Sequence, residues 1–161
     1  MTPSRPSIRP APIALAPSER ALRARPVSSE ESRPVVLVVD DQPENCDLYS
    51  EYLTLVGFTV IEAHDGGDGI RLARKDAPDV IVMDLAMPVV DGYTATRLLK
   101  GDAQTRDIPI VVVTASGFDC HPAALAAGCD AFLVKPCLPD ELERVLRESI
   151  ASAKKKAAAR H

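Results

Sequence analysis

Carboxylates follow two apolar runs of this sequence, at the points where strands are expected to end. Residues 35–39 are aliphatic and lead into Asp40 and Asp41, and residues 80–83 lead into Asp84. Uninterrupted apolar runs of this length predict strands that are buried on both faces, as in a parallel sheet. Because parallel strands end at a common edge, we expect the three carboxylates to lie close together there.

Two further strand ends supply a hydroxyl and an ammonium group. A fourth strand is predicted over 108–114 and ends in Thr114, and a fifth over 131–134 runs into Lys135. Clustered carboxylates need a hard cation, and Mg²⁺ prefers oxygen ligands. A carboxylate can attack phosphorus, and a lysine can neutralise the transferring oxygens. The pattern is therefore suited to phosphoryl transfer to a carboxylate, with the Thr114 hydroxyl able to donate to a phosphoryl oxygen.

Helical patterns separate these strands. A second strand over 59–63 alternates in polarity as an edge strand would. Helices are predicted over 42–56, 68–77, 93–100, 122–127 and 139–153. Five strands alternating with five helices through short connections predict an α/β fold, with a doubly wound parallel sheet and helices on both faces.

Charge divides the chain into three parts. Residues 1–33 carry a net charge of +3, residues 34–153 carry −11 and residues 154–161 carry +4. The first segment is rich in proline and arginine and is predicted to be a disordered tail, and the last is predicted to be a basic C-terminal tail. The acidic middle segment is the expected domain. Its charge argues against direct DNA binding, because the phosphate backbone would repel it.

The remaining composition places the chain in the cytoplasm. It contains no run of about 18 apolar residues, the length that a membrane-spanning helix needs. The N-terminus lacks the continuous apolar core of a secretory signal. Four cysteines, at positions 46, 120, 129 and 137, have spacings typical of neither a zinc site nor a disulfide framework.

The motifs together resemble the receiver domain of two-component response regulators. The matching blocks are VLVVDDQPEN at 36–45, AHDG at 63–66, PDVIVMDLAMPVVDGY at 78–93, IPIVVVTA at 108–115 and ALAAGCDAFLVKP at 124–136. They extend over residues 34–150. The resemblance implies a flavodoxin-like fold with strand order 2-1-3-4-5 and a cis peptide bond between Lys135 and Pro136.

The resemblance also implies the chemistry of each residue at the sheet edge. Asp84 would be the phosphorylated residue. Asp40, Asp41 and Asp84 would bind Mg²⁺ together with the backbone carbonyl of Ala86. Lys135 would pair with the phosphoryl group.

A second set of implied roles concerns the response to phosphorylation. Thr114 would be the switch hydroxyl and Phe132 the switch aromatic. Phe132 lacks the hydroxyl of the commoner tyrosine, so an outward ring could not donate a hydrogen bond. Ala86 and Ser116 stand at the positions that tune the lifetime of the phosphoryl group, and neither carries a charge to orient or exclude water.

These implications describe a signalling phosphoacceptor rather than an enzyme. The donor would be a histidine kinase or a histidine phosphotransfer protein. A downstream protein would bind the face formed by the fourth helix, fifth strand and fifth helix, and a phosphorylation-dependent homodimer is a further expectation. Beyond its own phosphorylation and dephosphorylation, no catalysis is expected.

Alternatives remain at this point. The chain could be a phosphorelay intermediate, the excised receiver of a hybrid kinase, or a pseudo-receiver that binds partners without phosphorylation. A more distant alternative is an aspartate-nucleophile phosphohydrolase, which would use the same carboxylates and metal. Such enzymes carry a D-x-D motif on the first strand, where this sequence has Asp40 and Asp41 in direct succession.

Overall fold

The computed structural model describes residues 32–160. Nearly all of the predicted disordered segment 1–33 therefore lies outside the described residues, and its disorder stays a prediction. Within the described range, the strands are β1 Val35–Val39, β2 Thr59–Ala63, β3 Val80–Met83, β4 Ile110–Thr114 and β5 Ala131–Val134. The helices are α1 Pro43–Leu55, α2 Gly66–Asp76, α3 Gly92–Gly101, α4 His121–Ala127 and α5 Pro139–Ala159.

The strands form one parallel sheet in the order β2-β1-β3-β4-β5. This order confirms the predicted flavodoxin-like fold and places β2 at an edge, as its alternating polarity predicted. The helices cover both faces of the sheet. Among the residues described, none of the helices combines the length and the apolarity needed to cross a bilayer.

The central strands are continuously apolar because each of their faces is covered by two helices. Successive side chains of β1 point to opposite faces. Val36 and Val38 pack beneath α1 and α5 with Leu53, Phe58 and Leu146. On the other face, a second cluster packs beneath α2 and α3; it includes Leu37, Val39, Ile70, Met83 and Leu99. Two aliphatic layers therefore cover the two faces of the sheet.

The last helix is longer than the sequence predicted. α5 continues to Ala159, six residues beyond the expected end, so most of the predicted basic tail is helical. Alanine and lysine, which fill residues 153–159, are strong helix formers. Arg160 then forms an ion pair with Asp107 at 2.8 Å, and this contact ties the extended helix to the connection before β4.

Other boundaries also differ from expectation. Both ends of α1, α2 and α3 and the start of α4 differ from the predicted bounds by one or two residues. β4 begins at Ile110 rather than at residue 108, because the Ile108 amide donates to Thr105 in a turn. A short 3₁₀ turn, Phe118–Cys120, precedes α4 where a loop was predicted.

Candidate functional site

The register of the sheet aligns the residues that the strand-end pattern singled out. Val39 pairs with Met83, so Asp40 and Asp84 are the next residues on neighbouring strands. The Asp84 amide donates to the Val39 carbonyl at 3.0 Å. Three carboxylate oxygens, one each from Asp40, Asp41 and Asp84, lie within 4.8 Å of one another. The predicted acidic cluster is therefore formed.

This donor set fits a hard divalent cation. Asp40 and Asp84 are buried, and Asp41 is half-buried. Oxygen ligands from two or three carboxylates suit Mg²⁺, which keeps several waters when it binds to protein. Buried carboxylates at this spacing also repel one another, and a cation would relieve that repulsion.

Lys135 supplies a positive charge to the cluster. Its ammonium nitrogen lies 2.7 Å from an Asp40 oxygen and 3.8 Å from an Asp84 oxygen. Lys135 follows β5, where Val134 pairs with Thr114. The peptide bond that joins Lys135 to Pro136 is cis, as the resemblance implied. The lysine is thus more closely bound to the expected metal ligand than to the expected phosphoacceptor.

The Asp40 carboxylate has two donors besides Lys135. The Gln42 amide donates to Asp40 Oδ1 at 2.9 Å, and the Asn45 side-chain amide donates to Oδ2 at 3.3 Å. The strand-end pattern gave no role to Asn45, because this residue lies in the first turn of α1. The available signal was an asparagine four residues after the Asp-Asp pair, where a helix turn brings it back to the strand end.

Burial raises the pKa of the Asp84 carboxyl above its ordinary value of 3.8. The carboxylates of Asp40 and Asp41 raise that pKa further, whereas the Lys135 ammonium and the Ala86 amide lower it. The Ala86 amide lies 3.4 Å from Asp84 Oδ1, a long and weak hydrogen bond. Asp84 is therefore a more basic carboxylate than an exposed aspartate.

A glycine fixes the loop that follows Asp84. A Cβ atom on Gly92 would lie 2.1 Å from the backbone oxygen of Asp84. The Gly92 amide donates to the Leu85 carbonyl at 3.0 Å, which holds the start of α3 against the acceptor.

Midway along the same loop, Val89 is fully exposed and adopts φ 68°, a left-handed conformation that is unfavourable for a β-branched residue.

The Thr114 hydroxyl lies beside Ser116. The Ser116 amide donates to Thr114 Oγ1 at 3.3 Å, and the Thr114 hydroxyl lies 3.4 Å from Ser116 Oγ. Thr114 is fully buried, whereas Ser116 and Ala86 are exposed. The two positions expected to tune the lifetime of the phosphoryl group are therefore open to water.

Phe132 lies on β5 within an aromatic group. Its ring centroid is 4.8 Å from that of His121 and 6.4 Å from that of Phe118. Phe132 is half-buried and packs against Leu85 and Val112. The sequence motifs had no role for His121 or Phe118, because their proximity to Phe132 depends on the packing of α4 against the sheet.

Comparisons with known proteins identify one family over most of the described residues. The family model for the response regulator receiver domain matches residues 36–147. Protein PilH of Pseudomonas aeruginosa is 35% identical over 117 residues, which cover 72% of this chain and 97% of PilH. The transcriptional regulatory protein PrrA of Mycobacterium tuberculosis is 42% identical over 110 residues, which cover 68% of this chain and 46% of PrrA. The chain spans about half the length of several such relatives.

Solved structures show the same similarity. The receiver domain of the sensor histidine kinase PA1611 from P. aeruginosa, with magnesium coordinated in its active site cleft, matches with a TM-score of 0.70 and 33% identity. That match covers 74% of this chain and 98% of the other. The Vibrio cholerae chemotaxis protein CheY4 matches with a TM-score of 0.69 and 30% identity, over 73% of this chain and 98% of CheY4.

Proposed function

This chain belongs to the response regulator receiver family, and on that basis we propose that Asp84 accepts a phosphoryl group from a histidine kinase or a histidine phosphotransfer protein. The observation that carries the proposal is the meeting of three carboxylates with Lys135 at the carboxyl edge of the sheet. In the transfer, an Asp84 oxygen attacks phosphorus and the phosphorus–nitrogen bond of the donor breaks. The electron pair of that bond returns to the donor histidine.

Asp40, Asp41 and Asp84 are the side chains that would hold Mg²⁺, with the Ala86 carbonyl as a further ligand. A magnesium ion there would neutralise charge on the oxygens of the transferring group. The magnesium in the cleft of the PA1611 receiver supports this assignment. The three carboxylates of this chain offer the same kind of oxygen ligand.

The chain's own residues prepare Asp84 for attack and then stabilise the product. A raised pKa makes the ionised Asp84 carboxylate a better nucleophile than an exposed one. Lys135 lies close enough for its ammonium to move from Asp40 to a phosphoryl oxygen. Such a movement places a positive charge where the negative charge of the new phosphoryl group lies.

The response to phosphorylation would begin at Thr114. Its hydroxyl now lies against Ser116 and would turn to donate to a phosphoryl oxygen. β5 pairs with β4 through Thr114 and Val134, so a shift at Thr114 would reach the face formed by α4, β5 and α5. Phe132, whose ring lies on that face beside His121, would change its packing. We propose that a downstream protein binds this face.

The proposed signalling role is compatible with more than one place in a two-component pathway. The match to the receiver domain of a sensor histidine kinase supports a place in a phosphorelay or in a hybrid kinase. We further propose that phosphorylation promotes a homodimer. The acidic surface of residues 34–153 argues against direct DNA binding. We propose that the protein acts in the cytoplasm, as a phosphoacceptor that catalyses no reaction on a separate substrate.

The two positions expected to tune the lifetime of the phosphoryl group are open to solvent. Ala86 and Ser116, which are small, uncharged and exposed, would leave water free access to the phosphoryl group.

Labelling with acetyl phosphate and Mg²⁺ tests the acceptor. Intact mass measurement should show one added phosphoryl group on the full chain and none on Asp84→Ala. Asp119→Ala, which removes an exposed carboxylate from the same edge of the sheet, is the matched control and should be labelled normally. Retention of the label in Asp84→Ala would assign the acceptor to another residue.

Two further variants test the surrounding roles. Lys135→Ala should still be labelled but should show a blunted conformational response, because no ammonium pairs with the new phosphoryl group. A normal response would remove Lys135 from the switch. Deletion of residues 1–33 should leave labelling unchanged, and a loss would make that segment part of the site.

A further inference from the structure

Asn45 links the acidic cluster to the start of α1. Its side-chain nitrogen donates to Asp40 Oδ2 at 3.3 Å and to Gln42 Oε1 at 3.1 Å. Gln42 stands at the N-cap of α1, and its side chain makes no capping bond to the helix. Asn45 therefore joins the strand end, the cap and the first helical turn through one amide group.

The two side chains that donate to Asp40 Oδ2 differ in charge. Lys135 lies at 2.7 Å and carries a positive charge, whereas Asn45 lies at 3.3 Å and is neutral. A divalent cation bound at Asp40 would repel the lysine ammonium, because both carry positive charge. The asparagine amide does not repel a cation, so its bond to Asp40 is compatible with a bound metal.

We propose that Asn45 is a positioning residue, which holds the Asp40 carboxylate in the orientation that a divalent cation requires when Lys135 moves away. The proposal rests on the proposed function for the identity of that cation. With Lys135 gone, Asp40 keeps two donors, the Gln42 amide on Oδ1 and the Asn45 amide on Oδ2. Donors in this outer position orient metal-binding carboxylates without cancelling their charge.

A purely structural role makes a different prediction. If Asn45 only strengthens the start of α1 through Gln42, its loss lowers the stability of the metal-free protein and leaves the affinity for the cation unchanged. If Asn45 orients Asp40, the affinity falls while the melting temperature measured with a chelator stays close to that of the wild type.

The experiment measures binding of Mn²⁺, a paramagnetic substitute for Mg²⁺, to the full unphosphorylated chain by electron paramagnetic resonance of the free ion. Asn45→Ala is expected to weaken Mn²⁺ binding about tenfold, the lower end of the range for outer-sphere partners of metal ligands. Thr54→Ala, an uncharged and exposed substitution on the same helix, is the matched control and should bind like the wild type. Melting temperatures are recorded for all three proteins in EDTA.

Acetyl phosphate labelling supplies an independent readout. For Asn45→Ala, the Mg²⁺ concentration at half-maximal rate should rise, while the rate at saturating Mg²⁺ stays close to that of the wild type. Unchanged Mn²⁺ affinity would overturn the proposal, and so would a lower rate that saturating Mg²⁺ fails to restore. If Asn45→Ala does not fold, Asn45→Ser is used with the same expectations, since its shorter side chain does not reach Asp40.

These outcomes are separable from those of the proposed function. Mn²⁺ affinity does not require that Asp84 accept a phosphoryl group, so the binding result stands even if Asp84→Ala keeps its label. Conversely, normal labelling of Asp84 combined with unchanged Mn²⁺ affinity in Asn45→Ala would reject the role of Asn45 alone.

Discussion

The ammonium nitrogen of Lys135 lies 2.7 Å from a carboxylate oxygen of Asp40, closer than it lies to Asp84. The lysine side chain is only 16% exposed and that of Asp40 only 4%, so the pair is largely shielded from water. Lys135 therefore neutralises part of the charge of the acidic cluster. Under the proposed function, a cation bound at Asp40 would compete with this lysine.

Removing the lysine should accordingly tighten metal binding. We expect Lys135→Met to raise the affinity for Mg²⁺ about tenfold, because a unit positive charge a few ångströms from the cation no longer opposes it. Isothermal titration calorimetry of the full chain measures this change. Lys75→Met, which removes an exposed lysine of α2, gives the same change in net charge and should leave the affinity nearly unchanged. Equal affinities for the wild type and Lys135→Met would show that the lysine does not compete.

Ionisation of Asp84 should destabilise the metal-free fold. Because the folded pKa is raised above the ordinary 3.8, the folded state holds the Asp84 proton more tightly than the unfolded state does. This group therefore lowers stability as the pH rises from 3.8 through the raised pKa. Asp84→Asn, which cannot ionise, should be more stable than the wild type at pH 7 by about 1 kcal/mol, the size typical of single substitutions.

Urea unfolding in EDTA over a series of pH values tests that expectation. The advantage of Asp84→Asn should shrink as the pH falls through the raised pKa and become constant below 3.8. Asp119→Asn at an exposed position should change stability by no more than about 0.5 kcal/mol. An advantage that persists unchanged at low pH would attribute the effect to something other than the charge of Asp84.

A side chain at position 92 should disturb the acceptor. The Cβ of Gly92→Ala would lie 2.1 Å from the Asp84 carbonyl oxygen, a backbone atom that cannot move alone. We expect a loss of about 2–3 kcal/mol in unfolding free energy, within the range for overpacking, together with slower labelling by acetyl phosphate. Gly101→Ala, at the end of the same helix, meets no atom within 4 Å and should be neutral or stabilising. Similar effects of the two substitutions would contradict the steric explanation.

Val89 should be a site where stability can be gained. Its φ of 68° costs a non-glycine residue about 1–2 kcal/mol, and its exposed side chain offers little packing in return. Val89→Asn should raise the midpoint of urea unfolding without changing labelling by acetyl phosphate, because asparagine tolerates this conformation. Val90→Asn, at the neighbouring half-buried position, should lower the midpoint. A lower midpoint for Val89→Asn would indicate that the valine side chain contributes packing.

The sequence predicted the residues at the strand ends better than any other part of the site. The bounds of β1, β2 and β5 are confirmed, and Asp40, Asp41 and Asp84 meet as expected. Parallel strands share one edge, so a polar residue after each apolar run is enough to predict the cluster. The switch roles of Thr114 and Phe132 stay predictions, since they concern a phosphorylated state.

Contacts that depend on how the helices pack could not be predicted from the sequence pattern. The contact of Asn45 with Asp40 depends on how α1 turns back over the strand end, and the sequence pattern does not define that angle. The ion pair between Arg160 and Asp107 joins residues 53 positions apart, so a run of lysines predicted only a tail where α5 continues. Which of two carboxylates Lys135 approaches depends on side-chain rotamers, which sequence motifs do not specify.

The distance along the chain between the charges of the site has a consequence for folding. Asp40, Asp41 and Asp84 follow β1 and β3, which pair directly, whereas Lys135 follows β5, 95 residues after Asp40. Pairing of β1 with β3 is sufficient to gather the three carboxylates, whereas Lys135 reaches them only when β5 is paired with β4. A partly folded chain that lacked β5 would therefore hold the carboxylates without their ammonium partner. The last strand completes the sheet and brings the positive charge to the site together.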